Sequence, residues 1–189
     1  MSHWRGDGWL KGVRWVRSPN QGARPAGSRV SLIVLHNISL PPENFSGNWV
    51  ECLFTNRLDP QAHPYFSTIS ELQVSAHFLI RRDGRVLQFV GCDCRAWHAG
   101  ESTWLGRDNC NDYSVGIELE GSDSQPFTAE QYAALWPLLG KLQARYPIRA
   151  LAGHCHVAPG RKSDPGPYFD WAAARAYCPG LTLPAEIGG

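Results

Sequence analysis

Residues 153–167, GHCHVAPGRKSDPGP, gather His154, His156, Lys162 and Asp164 in a stretch punctuated by Pro159, Pro165 and Pro167 and by Gly160 and Gly166. Imidazoles and a carboxylate are the donor set of a catalytic zinc, which takes three protein ligands and leaves a further position for water or substrate. Prolines and glycines fix the course of a loop, and preorganised chemistry needs a fixed loop. A solvated proline-rich connector has the same composition, so this stretch alone does not decide. His36, closing the run RVSLIVLHN, offers another imidazole, although a lone histidine at a strand end is more often a hydrogen-bonded core or surface residue. Glu118 and Glu120 add carboxylates. In YSVGIELEG they share one face with Gly116, opposite Val115, Ile117 and Leu119, so either could point into a cleft as a general base or both could be solvated.

These groups need elements to position them. RVSLIVLHN is short, apolar and β-branched, which predicts a buried and central strand ending near His36. NWVECLFTNRL reads as a modest helix, and VSAHFLIRRDGRVLQFV as a hairpin turning at Asp83-Gly84. A helix begins at Thr128, where Gln131 completes a capping box. Tyr132, Leu135, Leu139, Leu142 and Tyr146 form its buried stripe, and Pro137 should kink it or shift its boundary. A last helix starts at Asp170 and stops before Pro179-Gly180. Strands with helices between and after them predict an α/β protein, a single domain with a mixed central sheet and helices packed on it.

Composition sets bounds. The chain has 189 residues, 43% of them apolar and 19% charged, with net charge +1, which suits one globular domain and gives no basic stripe for nucleic acid. The N-terminus, MSHWRGDGWLKGVRWV, lacks the apolar core and cleavage site of a signal peptide. No run approaches the roughly 18 apolar residues of a membrane span, so the expectation is a cytoplasmic protein with no membrane partner. The six cysteines then read as free thiols, and Cys92 and Cys94 lack the C-x-x-C spacing of a redox or zinc-ribbon site.

The segments VLHNISLPPENFSG, DPQAHPYF, VSAHFLIRRDG, RAWHAG, CNDYSVGIELEG and GHCHVAPGRKSDPGPYFDW, in this order, resemble the zinc-dependent N-acetylmuramyl-L-alanine amidases. The resemblance is closest to the cytosolic 1,6-anhydro-N-acetylmuramyl-L-alanine amidases of cell-wall recycling, the AmpD family, and spans residues 8–171. The wider group includes phage lysozyme-type amidases and peptidoglycan recognition proteins, whose fold it implies. It further implies a Zn²⁺ held by His36, His154 and Asp164, Glu118 as catalytic base, Lys162 completing the site and His156 spare. An extended backbone at 154 would put His156 on the same face and leave a swapped ligand open.

On this reading the substrate is a small muropeptide. The bond cut joins the lactyl group of (1,6-anhydro-)N-acetylmuramic acid to L-alanine of the stem peptide, and the enzyme is a monomer. Asn37, Trp97, His98 and Arg107 are the expected substrate-binding residues. The division expected is an N-terminal wrapping segment at 1–29, the catalytic amidase domain at 30–178 and a loose tail at 179–189. Two positions depart from the family pattern: Gln73 and Asn109 stand where arginines would suit the carboxylates of the stem peptide. Three other readings stay open. One is a non-catalytic peptidoglycan-binding module of the same fold, another an exported amidase acting on intact wall. The third is a purely structural zinc closed by Cys155.

Overall fold

Alternating and apolar runs become strands in the computed structural model, which describes residues 3–184. In chain order the elements that position the site are β1 (Arg14–Trp15), β2 (Leu32–Ile38), α1 (Trp49–Phe54), β3 (Phe78–Ile80), β4 (Val86–Gln88) and β5 (Ser114–Glu120). After them come α2 (Ala129–Arg145), β6 (Ala150–Gly153), the single turn α3 (His154–Val157) and α4 (Trp171–Tyr177). The six strands form one sheet in the order β6-β2-β5-β3-β4-β1. Strands β6, β2, β5 and β3 run parallel, β4 turns back antiparallel to β3, and β1 joins the edge parallel to β4. This is the mixed sheet with packed helices that the pattern predicts.

The two faces of the sheet have different tasks. Ile33, Leu35, Val115, Ile117, Leu119 and Leu151 point to one side, where Leu135, Leu139 and Leu142 of α2 meet them in a common core. All three leucines are fully buried, so each contributes about 1.5–3 kcal/mol of transfer free energy. Truncating Leu139 to Ala is expected to cost about 2–5 kcal/mol. The opposite face carries His36 and Glu118, with Ser114, Gly116, Ala150 and Ala152 at neighbouring register positions. Those small residues leave room above the sheet for other side chains.

The Thr128 capping box forms: the Gln131 N–H donates to Thr128 Oγ1, and the Thr128 N–H to Gln131 Oε1. Helix α2 then runs through Pro137 rather than ending there. The carbonyl that proline leaves unpaired belongs to Ala133, which is exposed like Pro137 itself, so water can replace the lost donor. Helix α1 is shorter than its pattern and ends at Phe54, while α4 is capped by Asp170, whose carboxylate accepts from the Ala173 N–H.

The segment before β2 wraps the domain. Trp4 and Trp9 are buried, and the Arg24 guanidinium donates to the carbonyl oxygens of Cys92, Asn111, Asp112 and Ser114. The loose tail expected from 179 needs correction up to Pro184. Leu181 and Leu183 are buried, and Thr182 bridges Ala150 at the sheet edge, because apolar residues at alternate positions can dock there. Residues 185–189 lie outside the described residues.

Candidate metal centre and active-site cleft

Strand β2 carries His36 two residues before its end, and β6 delivers His154 at the first residue of α3. Asp164 returns to them because the chain between folds back on itself: the Cys155 N–H donates to the Asp164 carbonyl, and the Lys162 N–H to that of Ala158. Gly153 permits this closure, since a Cβ there would lie 2.5 Å from Pro165 Cδ.

The Nδ1 atoms of His36 and His154 are 3.0 Å apart, and each lies 3.0 Å from Asp164 Oδ2. Donor atoms of one metal at bond lengths of about 2.0–2.1 Å stand roughly 3.3 Å apart in a tetrahedron, so a slight opening of this cluster accommodates an ion. It is the one such grouping of His, Cys, Asp or Glu among the described residues. The six cysteines are free, and Cys155 Sγ lies 3.5 Å from His156 Nδ1 rather than in the cluster. With no fourth protein ligand, the set matches an open, catalytic site more closely than a closed structural one.

Electrostatics agree with a cation. Burial pushes the His36 pKa down to about 4, so its imidazole is neutral and has a lone pair to give. Burial alone would raise Asp164, but its contacts with His154 and His36 outweigh it and hold the carboxyl well below its usual range. Glu118 sits beside His36 in register and is only 8% exposed. Its Oε2 has no hydrogen-bond partner. Burial, reinforced by the charge of Asp164 and opposed by that of Lys162, raises its pKa well above the ordinary value. Glu120, by contrast, is tied to Arg81 and to the Arg82 N–H, so the two carboxylates of β5 separate into one free and one engaged.

A cleft of about 390 Å³ opens over these groups, with Asn37, Trp97, His98, Glu118, Lys162 and Asp164 in its lining. Its apolar wall is built from Leu53, Phe54, Tyr65, Ile69, Leu72 and Val74. Nothing in the local sequence marks that wall, which comes from segments far apart in the chain. A larger hollow of about 730 Å³ lies between Arg14, Glu51 and Arg81, but its charges pair with one another.

The remaining site expectations divide. Asn37 faces the cleft and is steadied by Asp123, whose Oδ1 accepts from its Nδ2 at 2.7 Å. Arg107 does not line the cleft. It sits in the hairpin formed by residues 103–104 and 107–108, where its guanidinium stacks 3.8 Å from the Tyr113 ring centre and reaches Ser28 Oγ. His156 is turned away by the helical turn α3, and its Nδ1 accepts from the Gly153 N–H. The extended backbone that would have put it on the ligand face does not occur. His98 lies at the cleft floor with both ring nitrogens engaged, Nδ1 at 2.9 Å from His36 Nε2 and Nε2 at 3.1 Å from Ser114 Oγ. Gly116 makes room for it, since a Cβ there would meet the His98 ring at 2.5 Å.

A His-His-Asp cluster that could hold a metal ion, open to a cleft on a mixed sheet beside a buried glutamate, is the kind of site a metallohydrolase uses. The family model for N-acetylmuramoyl-L-alanine amidase matches residues 26–167, and the chain belongs to that family, whose reaction is hydrolysis of an amide. Among its relatives is the 1,6-anhydro-N-acetylmuramyl-L-alanine amidase AmpD of Citrobacter freundii, 54% identical over 172 residues covering 90% of this chain and 92% of that one. The crystal structure of a selenomethionine AmpD derivative superposes with a TM-score of 0.88 at 53% identity, over 93% of this chain and 98% of that one. A second similar structure is the amidase AmiD of E. coli, in complex with anhydro-N-acetylmuramic acid-L-Ala-D-γ-Glu-L-Lys. It has a TM-score of 0.60 and 31% identity over 82% of this chain and 60% of that one.

Proposed function

We propose that this chain hydrolyses the amide between the lactyl group of 1,6-anhydro-N-acetylmuramic acid and L-alanine of the stem peptide, in peptidoglycan recycling, with a zinc ion at His36, His154 and Asp164. The observation that carries the reading is Glu118, buried, unpartnered at Oε2 and in register with His36. A non-catalytic binding module has no use for a carboxylate kept free in that position.

Two neutral imidazoles and one carboxylate would leave a divalent ion with a net charge of +1. Bound there, zinc supplies a Lewis acid for the scissile carbonyl and brings the pKa of a water to about 7. The residues of the chain do the rest. Glu118 takes a proton from the attacking water and passes it to the leaving amine of L-alanine, a transfer helped by a pKa that burial raises above the ordinary glutamate value. Lys162, exposed at the rim of the cleft, stabilises the negative charge that develops on the carbonyl oxygen. Asn37, held by Asp123, donates to the peptide, and Trp97 offers an aromatic face to the sugar.

The unit that works is the amidase domain of residues 30–178, wrapped by 1–29, acting as a monomer because one chain supplies every group. Six free thiols suit the reducing cytoplasm, where we place the reaction. Among the described residues no helix is long and apolar enough to cross a membrane.

The test is incubation of the purified protein with an anhydro-muramyl tripeptide, with chelator and after zinc is restored, reading products by mass. Zinc-dependent release of a peptide beginning at L-alanine is the expected result. Intact substrate after zinc loading would overturn the hydrolytic reading in favour of a binding module.

A further inference from the structure

The two histidines of the metal cluster are backed by adjacent residues of one segment. His36 Nε2 meets His98 Nδ1 at 2.9 Å, and His154 Nε2 meets the Ala99 carbonyl at 3.1 Å. The segment is itself clamped: Asn111 Oδ1 accepts from the N–H groups of both His98 and Ala99, and Arg161 donates to the Ala99 carbonyl. Asn111 is buried.

The two supports differ in kind. A carbonyl only accepts, so Ala99 requires the proton of a neutral His154 to be on Nε2 and leaves Nδ1 free for a metal. His98 can accept or donate, and Ser114 Oγ behind it can do either as well. The relay therefore has two directions. If His36 Nε2–H donates to His98 Nδ1, then His98 Nε2–H donates to Ser114, and His36 Nδ1 is bare. If Ser114 donates instead, His98 carries its proton on Nδ1, and a neutral His36 is left with a proton on the nitrogen that faces Asp164. Only the first direction is compatible with metal binding.

We propose that His98, backed by Ser114 and held in place by Asn111, is a positioning residue that presents His36 to the metal, rather than a contact for the substrate. The inference rests on the proposed metal site at His36, His154 and Asp164. Outer hydrogen-bond partners of metal-bound histidines are worth about 10- to 100-fold in metal affinity, and the short His36–His98 contact is of that type.

Zinc affinity of the full chain, measured by competition with a chelating dye, tests it together with the ring ¹⁵N spectrum of the zinc-loaded protein. His98→Leu removes the acceptor, and affinity should fall about 10- to 100-fold. His98→Asn puts an amide oxygen where Nδ1 stood and should recover most of the loss. Ser114→Ala removes the partner of His98 Nε2 but leaves both imidazoles in place, and it should weaken binding less than His98→Leu does. In the zinc-loaded wild type, ¹⁵N–¹⁵N coupling across the hydrogen bond should join His36 Nε2 to His98 Nδ1, with the proton on His36. A proton on His98 Nδ1, or unchanged affinity in both His98→Leu and Ser114→Ala, overturns the inference and leaves the metal site standing. Should His98→Leu not fold, the Ser114→Ala affinity and the wild-type coupling decide. Wild-type protein that takes no zinc would sink the metal reading and this inference together.

Discussion

Glu118 and His36 stand side by side on neighbouring parallel strands, β5 and β2, so a general base and a metal ligand are held at the spacing of one sheet register. Both side chains leave the sheet on the same face, and the hydrogen bonds of the two strands keep their relative position. The opposite face of the same strands is anchored by α2. Catalytic geometry and core packing thus share a backbone and use alternate residues of it.

Glu118→Gln keeps the shape of the side chain and removes its proton-transfer role. Turnover should fall about 10²- to 10⁴-fold while bound zinc is unchanged. Full activity in this variant would remove Glu118 as the base.

The same substitution should affect stability with a definite sign. In the fold Glu118 holds its proton above the pH at which the unfolded chain releases it, so wild-type stability declines as pH rises through and above the ordinary glutamate range. Metal-free Glu118→Gln should melt at a higher temperature than metal-free wild type at pH 7, and the gap should shrink toward pH 4. A gap independent of pH would contradict the buried, unpartnered state of the carboxyl.

Lys162→Ala should leave zinc content intact and lower turnover about 100-fold or more, as for the loss of one donor to a developing oxyanion. An effect confined to KM would assign Lys162 to substrate binding instead.

Asp164→Ala should release zinc, whereas Cys155→Ala and His156→Ala should retain it. Metal analysis by mass spectrometry separates the cases, and loss of zinc from the His156 variant would mean that the ligand set is wrong.

His77 lies at the core beneath the site, where its Nδ1 accepts from the Gly116 N–H and its Nε2 faces the Cys94 carbonyl. Burial, helped by the charge of Arg24, pushes its pKa down to about 3. The unfolded chain takes up a proton there first as pH falls below the ordinary histidine value of about 6.5, so stability drains away from there toward pH 3, by up to about 4–5 kcal/mol. His77→Asn, which keeps the acceptor, should flatten acid unfolding across this window. An unaltered slope would mean that other groups carry the pH dependence.

The resemblance places Gln73 and Asn109 where arginines would pair with stem-peptide carboxylates, and the structure separates the two. Gln73 is exposed beside Val74 of the cleft wall, so Gln73→Arg should lower KM for a peptide with free carboxylates. Asn109 has a left-handed backbone, with φ of 57°, which asparagine tolerates better than arginine does. Asn109→Arg should therefore lower the melting temperature before it gains any affinity.

Much of this was readable in the chain. Alternation in YSVGIELEG separates the greasy face of β5 from Glu118, and Thr128 with Gln131 marks the start of α2. Motif order links His36, His154, Asp164 and Glu118. The places that His98 and Arg107 take were not legible there, because their partners, a strand histidine and a tyrosine ring, come together only when the chain folds. The Ala99 carbonyl, which backs His154, has no sequence signal at all, since every residue but one kind of terminus carries such a group.

Local periodicity and side-chain chemistry, then, were enough for the sheet, the helices and the identity of the reactive groups, because they depend on residue type and near neighbours. Which groups meet depended on contacts across the chain, His36 with Asp164 over 128 residues and with His98 over 62. Directional hydrogen bonds need both partners in place within a few tenths of an ångström, and only the packed sheet brings them there.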